Sequence, residues 1–140
     1  MNIDRGALAI LVALRRMDDG ESHYDEEERF GPGYDGAGFV STAFEECGIP
    51  VCSSGGRSPE TLLEAFLECG FSDILDEVNR YSGEGLRCGD VLLNTEEHAA
   101  MYLGGGYLAE ARCGDRGGEG RIAVKPYYNY PWDAVLRRDG

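Results

Sequence analysis

The sequence has 140 residues, the size of one domain, and 26 Asp+Glu residues against 13 Lys+Arg residues give it a net charge of −13. Such a negative field repels the phosphates of nucleic acids and of anionic lipids, so we expect neither nucleic-acid binding nor membrane anchoring. Hydrophobic residues make up 42% of the chain and charged residues 28%, which is typical of a globular protein. We expect residues 1–140 to form a single domain, and we expect that domain to be a monomer.

The N-terminal segment does not have the pattern of an exported protein. Its longest apolar run, residues 7–14, is far too short to span a membrane. Charged residues follow at positions 15, 16, 18 and 19, with Met17 between them, where a signal peptide needs small residues for cleavage. We therefore expect a protein made in the cytoplasm without a signal peptide.

The sequence contains five cysteines, at positions 47, 52, 69, 88 and 113. Their number is odd, no two have CxxC spacing, and only His23 and His98 could add nitrogen ligands, so we expect no metal site and no cofactor. This pattern is typical of reduced thiols, which we expect to be mostly buried. A disulfide between Cys47 and Cys52 remains open.

The first half of the chain has the pattern of helices. A first helix is predicted from Asp4, a favourable N-cap, to Gly20, and residues 18–35 are predicted as a loop. A second helix is predicted over residues 37–47, and a third runs from the Ser58-Pro59 start to Gly70. The side chains predicted to face the core are Leu8, Leu11, Val12 and Leu14 in the first helix, Phe39, Val40, Ala43 and Phe44 in the second, and Leu62, Leu63, Phe66 and Leu67 in the third.

The second half has the pattern of short strands separated by Gly, Asn and Asp. Helices followed by strands indicate an α+β fold, with the N-terminal helices packed on one face of a central antiparallel sheet. Residues 113–120 contain four glycines but no lysine-threonine pair and no following helix, so we interpret them as a surface loop rather than a phosphate site. The predicted strands cover residues 91–93, 98–103, 107–111, 122–125 and 134–136.

His98 and Glu110 are predicted to meet across a β-hairpin. If residues 104–106 form a three-residue loop, Glu110 lies opposite Ala100, on the same face as His98 and one diagonal step away. A carboxylate beside an imidazole is the base and its orienting partner in a catalytic triad, although a surface pair without function gives the same pattern. A two-residue turn is expected to place the two side chains on opposite faces.

A triad also needs a nucleophile, and a helix N-terminus favours one because the helix dipole stabilises a thiolate. Residues 34–40, Tyr-Asp-Gly-Ala-Gly-Phe-Val, enter the second predicted helix. This stretch resembles the nucleophile motif of NlpC-type papain-like cysteine peptidases, which reads Asp-Cys-(Ser/Ala)-Gly-(Phe/Leu)-Val. In this alignment Gly36 stands at the position of the catalytic cysteine, between Asp35 and Ala37.

The resemblance extends over residues 22–137. Tyr24 is similar to the tyrosine upstream of the nucleophile in phage lysins of this group, and residues 86–90 resemble the Leu-x-x-Gly-Asp turn before the catalytic strand. Residues 98–107 resemble the histidine strand and its hairpin, with Glu110 at the third, polar, catalytic position. Residues 126–137 resemble the closing strand of phage peptidoglycan hydrolases.

The resemblance implies a papain-like NlpC-type fold and a Cys-His-Glu mechanism. A thiolate at the position of Gly36 would attack a peptide carbonyl, His98 would transfer the protons, and Glu110 would orient the imidazole. The backbone N–H at that position would help to stabilise the oxyanion. The further residues that the resemblance implies for oxyanion or substrate contacts are Tyr24, Asp35 and Ala37.

Glycine at position 36 departs from the family pattern, because it has no side chain that could attack an amide. The chain as written is therefore predicted to be inactive, and Cys47 does not substitute because it lies eleven residues, about 16 Å, further along the helix. Three interpretations remain open. Gly36 replaces an original cysteine, or the chain is a natural pseudoenzyme that binds cell-wall peptides, or the alignment is coincidental and this is an unrelated α+β protein.

The substrate class that the resemblance implies is the stem peptide of bacterial peptidoglycan. Family members cleave either the γ-D-glutamyl–diamino acid bond, as endopeptidases, or the muramoyl–L-alanine bond, as amidases, and the shared motifs do not separate the two. Of these we expect the endopeptidase, in a phage endolysin domain made in the host cytoplasm and acting on the wall after release. For Tyr127, Tyr128, Tyr130 and Trp132, packing is favoured over sugar stacking.

Overall fold

The computed structural model describes residues 9, 12–15, 23–24, 33–34, 36–112 and 121–138. It contains a six-stranded antiparallel sheet and a parallel pair of two-residue strands, so the predicted α+β architecture is confirmed. No helix among those residues is long and apolar enough to cross a membrane. The elements are β1 (His23–Tyr24), β2 (Gly33–Tyr34), α1 (Gly36–Glu46), α2 (Pro59–Glu68), β3 (Phe71–Asp73), a 3₁₀ turn (Leu75–Glu77), β4 (Val91–Asn94), β5 (His98–Gly104), β6 (Tyr107–Arg112), β7 (Arg121–Pro126) and β8 (Ala134–Arg138), and the sheet order is β3-β8-β4-β5-β6-β7.

The N-terminal segment is helical at residues 9 and 12–15, as predicted. Its buried side chains are Ala9 and Ala13, while Val12 and Leu14 pack only partly against the core. The predicted contact of Val12 and Leu14 with the core is therefore confirmed, and Ala9 and Ala13, four residues apart and so on one face of the helix, are buried in addition. Leu8, Leu11 and both predicted ends of this helix lie outside the described residues.

Helix α1 starts and ends within one residue of its prediction. Phe39, Val40, Ala43 and Phe44 are buried, as the apolar spacing predicts. The chain leaves the helix through Gly48, whose φ of 87° is the left-handed conformation that commonly closes a helix. This helix packs on β5 and β6 and so carries its N-terminus to the centre of the sheet.

Helix α2 begins at its predicted Ser-Pro start. The backbone N–H of Ser58 donates to the hydroxyl of Thr61 at 3.1 Å, which satisfies a donor at the helix start. Leu62 and Phe66 are buried as predicted, but the prediction for Leu67 was wrong, since its side chain is 45% exposed. Ala65 is buried instead, because it lies between Leu62 and Phe66 on the face that meets the sheet.

All five predicted strands are present, each within one or two residues of its predicted ends. Strand β3 was not predicted, because it has three residues of which only Phe71 is buried, too few for an alternating pattern. Residues 18–35 were predicted as a loop, and their described part contains the parallel pair β1 and β2. The predicted loop 113–120 lies outside the described residues.

The two faces of the sheet are covered differently. The helices cover one face, which includes Leu93, Met101 and Ala109, in agreement with the prediction. The other face includes Leu92 and Leu108 and is covered by aromatic residues of the segment 127–132 and by residues around the 3₁₀ turn. Successive side chains along these strands therefore pack alternately into two hydrophobic cores, one on each face of the sheet.

The β5–β6 hairpin differs from its prediction in a way that preserves the register. The turn has two residues, Gly105 and Gly106, with φ of 62° and 87°, the positive values that a type I′ turn requires. A bulge at Leu103 adds one residue to β5, so that Met101 still pairs with Ala109. If this register continues for one more residue, Glu110 lies opposite Ala100. The predicted three-residue loop gives the same pairing.

The expectation of mostly buried cysteines was wrong. Cys47, Cys52 and Cys69 are half-buried, and Cys88 is exposed. Cys47 and Cys52 are not joined by a disulfide. Cys113 lies outside the described residues.

Candidate functional site

His98 and Glu110 form a short hydrogen bond, with 2.6 Å between His98 Nε2 and Glu110 Oε2. The sheet register produces this contact, because His98 begins β5 and Glu110 lies in β6 beside Ala100. The side chain of Glu110 is fully buried and that of His98 is 15% exposed. An ionised carboxylate can only accept, so Nε2 carries the proton of this bond and, in a neutral ring, Nδ1 keeps its lone pair.

Glu110 has two further partners besides His98. The hydroxyl of Tyr128 donates to Oε2 at 2.7 Å, and the ammonium of Lys125 lies 3.1 Å from Oε1. Burial alone would raise the pKa of Glu110, but the bonds from His98, Tyr128 and Lys125 outweigh it and lower the pKa to about 2. The carboxylate is therefore ionised over the whole neutral range, although it is excluded from water.

Aromatic rings hold the imidazole of His98 in place. The ring of Trp132, itself fully buried, stacks on it at 5.9 Å between centroids with 25° between planes. The ring of Tyr130 meets it edge-on at 5.6 Å, and the Tyr130 hydroxyl donates to the carboxylate of Glu97. Packing was expected for these aromatic residues, and part of that packing is against the candidate base.

Gly36 lies at the other side of the imidazole. It is the first residue of α1, and a Cβ built on it would lie 3.1 Å from His98 Nδ1 and 3.4 Å from the backbone N and O of Ala99. Its backbone conformation is helical, which any residue can adopt. Position 36, His98 and Glu110 therefore lie in one line, with Nδ1 facing the helix N-terminus and Nε2 facing the carboxylate.

The other predicted site residues are placed less completely. Ala37 is buried in α1 next to Gly36. Tyr24 lies in β1 and pairs with Tyr34, and β1 lies against β6 and β7, but its side chain is outside the described part of the structure. Asp35 is outside the described residues altogether.

Asp90, in the Leu-x-x-Gly-Asp segment, holds the sheet rather than the site. It is almost fully buried, it accepts two hydrogen bonds from the guanidinium of Arg137, at 2.9 and 2.7 Å, and its Oδ2 accepts the N–H of Arg87 at 2.8 Å. Gly89 before it has a φ of 93°, which strongly favours glycine. This segment therefore joins the start of β4 to β8.

Lys125 could have been found from the sequence, whereas Tyr128 could not. Lys125 is the only lysine of the chain, and an alternating strand after the hairpin puts it on the face of Glu110, because Glu110 pairs with Ala123 two residues earlier. Tyr128 lies beyond the end of β7, where no periodicity gives the direction of a side chain.

No group of three or more His, Cys, Asp or Glu side chains that could hold a metal ion occurs in the part of the chain that the structure describes. The described residues bring the imidazole of His98, the carboxylate of Glu110 and the N-terminus of α1 together. With glycine at position 36, the described part of this site holds an imidazole and a carboxylate, and position 36 itself has no nucleophilic side chain.

Comparisons with known proteins give a fold but no sequence relative. No family model matches the sequence, and no curated protein matches it significantly. Among solved structures, the crystal structure of the P60 domain from the M. avium subspecies paratuberculosis antigen MAP1204 matches with a TM-score of 0.55 and 21% identity, over 96% of this chain and 97% of that one. The fold is NlpC/P60-like. That likeness agrees with the fold class that the sequence motifs predict.

Proposed function

We propose that this chain has the site of a cysteine peptidase acting on peptidoglycan stem peptides, with Gly36 in the position of the nucleophile. The observation that carries the proposal is the 3.1 Å between an ideal Cβ at Gly36 and His98 Nδ1, with Nε2 of the same ring bound to Glu110. A side chain at position 36 thus begins beside the ring nitrogen that is free to accept its proton. In the chain as it stands, position 36 has no side chain to attack a peptide, so we expect no cleavage.

A cysteine at position 36 would have both features that activate a thiol. The N-terminus of an eleven-residue helix lies at this position, and its dipole favours a thiolate. His98 accepts the thiol proton, and Glu110 stabilises the imidazolium that results. The contact of 3.1 Å is tight for a Cβ, so a residue larger than glycine requires the imidazole of His98 to shift by a few tenths of an ångström.

The reaction then follows in two steps. The thiolate sulfur bonds to the carbonyl carbon of the peptide, the C–N bond breaks, and the leaving amine takes the proton from His98. Water adds to the thioester, gives its proton to His98, and releases the carboxylic acid as the thiolate is restored. The backbone N–H at position 36 is proposed to stabilise the oxyanion, with the Tyr24 hydroxyl as a second donor and with Asp35 and Ala37 close to the substrate.

The finer assignment is also a proposal. The motifs quoted from this sequence resemble those of phage lysins, so we propose an endolysin catalytic domain that is made in the host cytoplasm and acts on the wall after release. The bond we propose is that between γ-D-glutamate and the diamino acid, with the muramoyl–L-alanine amide as the alternative. Whether Gly36 replaces an original cysteine is answered by comparing the intact mass of the protein with the encoding gene.

The test restores the nucleophile. Purified muropeptides are incubated with the parent chain, Gly36→Cys, Gly36→Ala, and Gly36→Cys combined with His98→Ala, and the products are identified by mass spectrometry. We expect cleavage by Gly36→Cys alone, and the product masses name the bond. Gly36→Ala is the matched control, because it requires the same movement of His98 without providing a thiol. No cleavage by folded Gly36→Cys, or equal cleavage with His98→Ala, contradicts the proposal.

A peptide-binding protein without hydrolysis is the second candidate, and the absence of any side chain at Gly36 favours it. The parent chain is titrated with intact muropeptides by calorimetry. Saturable binding by a protein whose Gly36→Cys variant stays inactive supports this second function over the first.

A further inference from the structure

Glu110 needs more than His98 to keep its direction. A glutamate side chain has three rotatable bonds, so a single hydrogen bond leaves the carboxylate free to turn. In this structure both carboxylate oxygens are engaged: Oε2 accepts from His98 and Tyr128, and Oε1 lies 3.1 Å from the ammonium of Lys125. The plane of the carboxylate is thus defined from two sides.

Lys125 and Tyr128 also support each other. The Lys125 ammonium lies 4.3 Å from the centroid of the Tyr128 ring, within the range of a cation–π contact, and the Lys125 side chain is 28% exposed. Lys125 is in β7 and Tyr128 is two residues beyond the end of that strand, so both come from one segment that lies against Glu110. Among the 13 lysine and arginine residues Lys125 is the only lysine, and it occupies this place.

We propose that Lys125 and Tyr128 are positioning residues, which fix the plane of the Glu110 carboxylate and through it the direction in which His98 Nδ1 faces position 36. Neither residue touches the reacting atoms. Their effect on catalysis rests on the proposed function. Their contacts with the Glu110 carboxylate are present in the chain with glycine at position 36.

Among the residues that the structure describes, the titratable groups that face Glu110 include His98 from β5, Lys125 from β7, and Tyr128 and Tyr130 from the segment after β7. Burial raises the pKa of Glu110, and the hydrogen bonds from His98, Lys125 and Tyr128 lower it. Removing the donor at Lys125 or Tyr128 should therefore let the pKa of Glu110 rise from about 2. Tyr127 is a matched control, because its hydroxyl donates to the carbonyl of Arg80 and not to Glu110.

The first experiment uses the chain with glycine at position 36. Nitrogen-15 NMR of the imidazoles reports which ring nitrogen of His98 carries the proton, with His23→Gln to assign the second histidine. We expect a single Nε2–H tautomer in the parent, in Tyr127→Phe and in Lys125→Arg, and a mixture of tautomers in Lys125→Met and Tyr128→Phe. The titration midpoint of the Glu110 carboxyl carbon should rise in the same two variants. A single tautomer and an unchanged midpoint in both variants overturn the inference.

The second experiment repeats these substitutions in the Gly36→Cys background. We expect kcat to fall on the order of 10- to 100-fold in Lys125→Met and Tyr128→Phe with little change in KM, as for the loss of a residue that supports a reacting group. Lys125→Arg should recover most of kcat, since it restores a cation. If Gly36→Cys itself is inactive, the proposed function fails, and the NMR result still decides the positioning role. If it is active and kcat is unchanged in both variants, the positioning role fails alone.

Discussion

Two buried carboxylates of this protein have different kinds of partner. Asp90 is held by the guanidinium of Arg137 and by a backbone N–H, groups that do not change protonation near neutral pH. Glu110 is held by His98, Lys125 and Tyr128, and of these three side-chain types only the imidazole ordinarily changes protonation near neutral pH. Glu110 lies in β6 and Asp90 directly precedes β4, and both are excluded from water.

Asp90 and Arg137 therefore form a structural pair, whereas Glu110 and His98 form a pair that can take part in proton transfer. The Asp90 pair joins the start of β4 to β8 through a permanently charged arginine, so it adds rigidity and no reactivity. The Glu110 group ends in an imidazole that faces a helix N-terminus, so a proton can move there while the carboxylate stays fixed. Three predictions test this comparison.

The largest expected effect on stability comes from breaking the structural pair. Arg137→Met leaves the Asp90 carboxylate buried without its cation, and we expect the free energy of unfolding to fall by about 3 kcal/mol. Urea denaturation followed by circular dichroism measures the loss. Arg138→Met is the matched control, because Arg138 is the exposed neighbour on the same strand. Equal losses in the two variants would show that Asp90 does not depend on Arg137.

The second prediction concerns pH, and its sign follows from the lowered pKa of Glu110. The pKa is about 2 in the folded protein against an ordinary 4.5, so ionised Glu110 stabilises the fold above pH 4.5 and that stabilisation is lost as pH falls towards 2. We expect a loss on the order of 2–3 kcal/mol over this interval. Urea midpoints at several pH values measure it.

The matched variant for this titration is Glu110→Gln, which is uncharged at every pH. Its stability should already be lower at pH 7 and should change less than the parent between pH 4.5 and 2. Parallel pH curves for the two proteins would mean that another group causes the acid sensitivity.

The smallest effect concerns the hairpin that carries Glu110 to His98. Gly104 has a φ of 103°, so Gly104→Ala is expected to cost about 1 kcal/mol, whereas Gly105→Asn should be neutral because Gly105 has a φ of 62°, which asparagine tolerates. Thermal unfolding of the two variants makes the comparison. A loss in Gly105→Asn as large as that in Gly104→Ala would argue against a type I′ turn.

The sequence predicts the elements of this fold better than the path between them. Periodicity and capping residues are local, so they locate α1 and the strands, and alternation brings Glu110 beside His98. The β5–β6 turn was predicted with one residue too many, and the register agrees only because the bulge at Leu103 compensates. A bulge has no apolar pattern of its own, and its position depends on how the two strands pack.

The candidate site also has one part that the local sequence predicts and one part that it does not. The helix start at Gly36 and the hairpin pair are set by neighbouring residues, so motif and pattern predict them. Tyr128 and Trp132 reach the site from an irregular segment after β7, where the direction of a side chain is set by tertiary packing. A pattern with a period of two or 3.6 residues describes the faces of a single strand or helix, so it does not predict long-range contacts of this kind.

The most direct test of the central claim is the reactivity of a thiol at position 36. Gly36→Cys and the same variant with His98→Ala are treated with iodoacetamide at pH 6, and mass spectrometry of the peptide that contains residue 36 separates its alkylation from that of the native cysteines. An ordinary thiol, with a pKa of about 8.5, is almost fully protonated at this pH and reacts slowly. We predict fast alkylation in Gly36→Cys and a return to the slow rate when His98 is removed; equal slow rates in both variants would contradict the account.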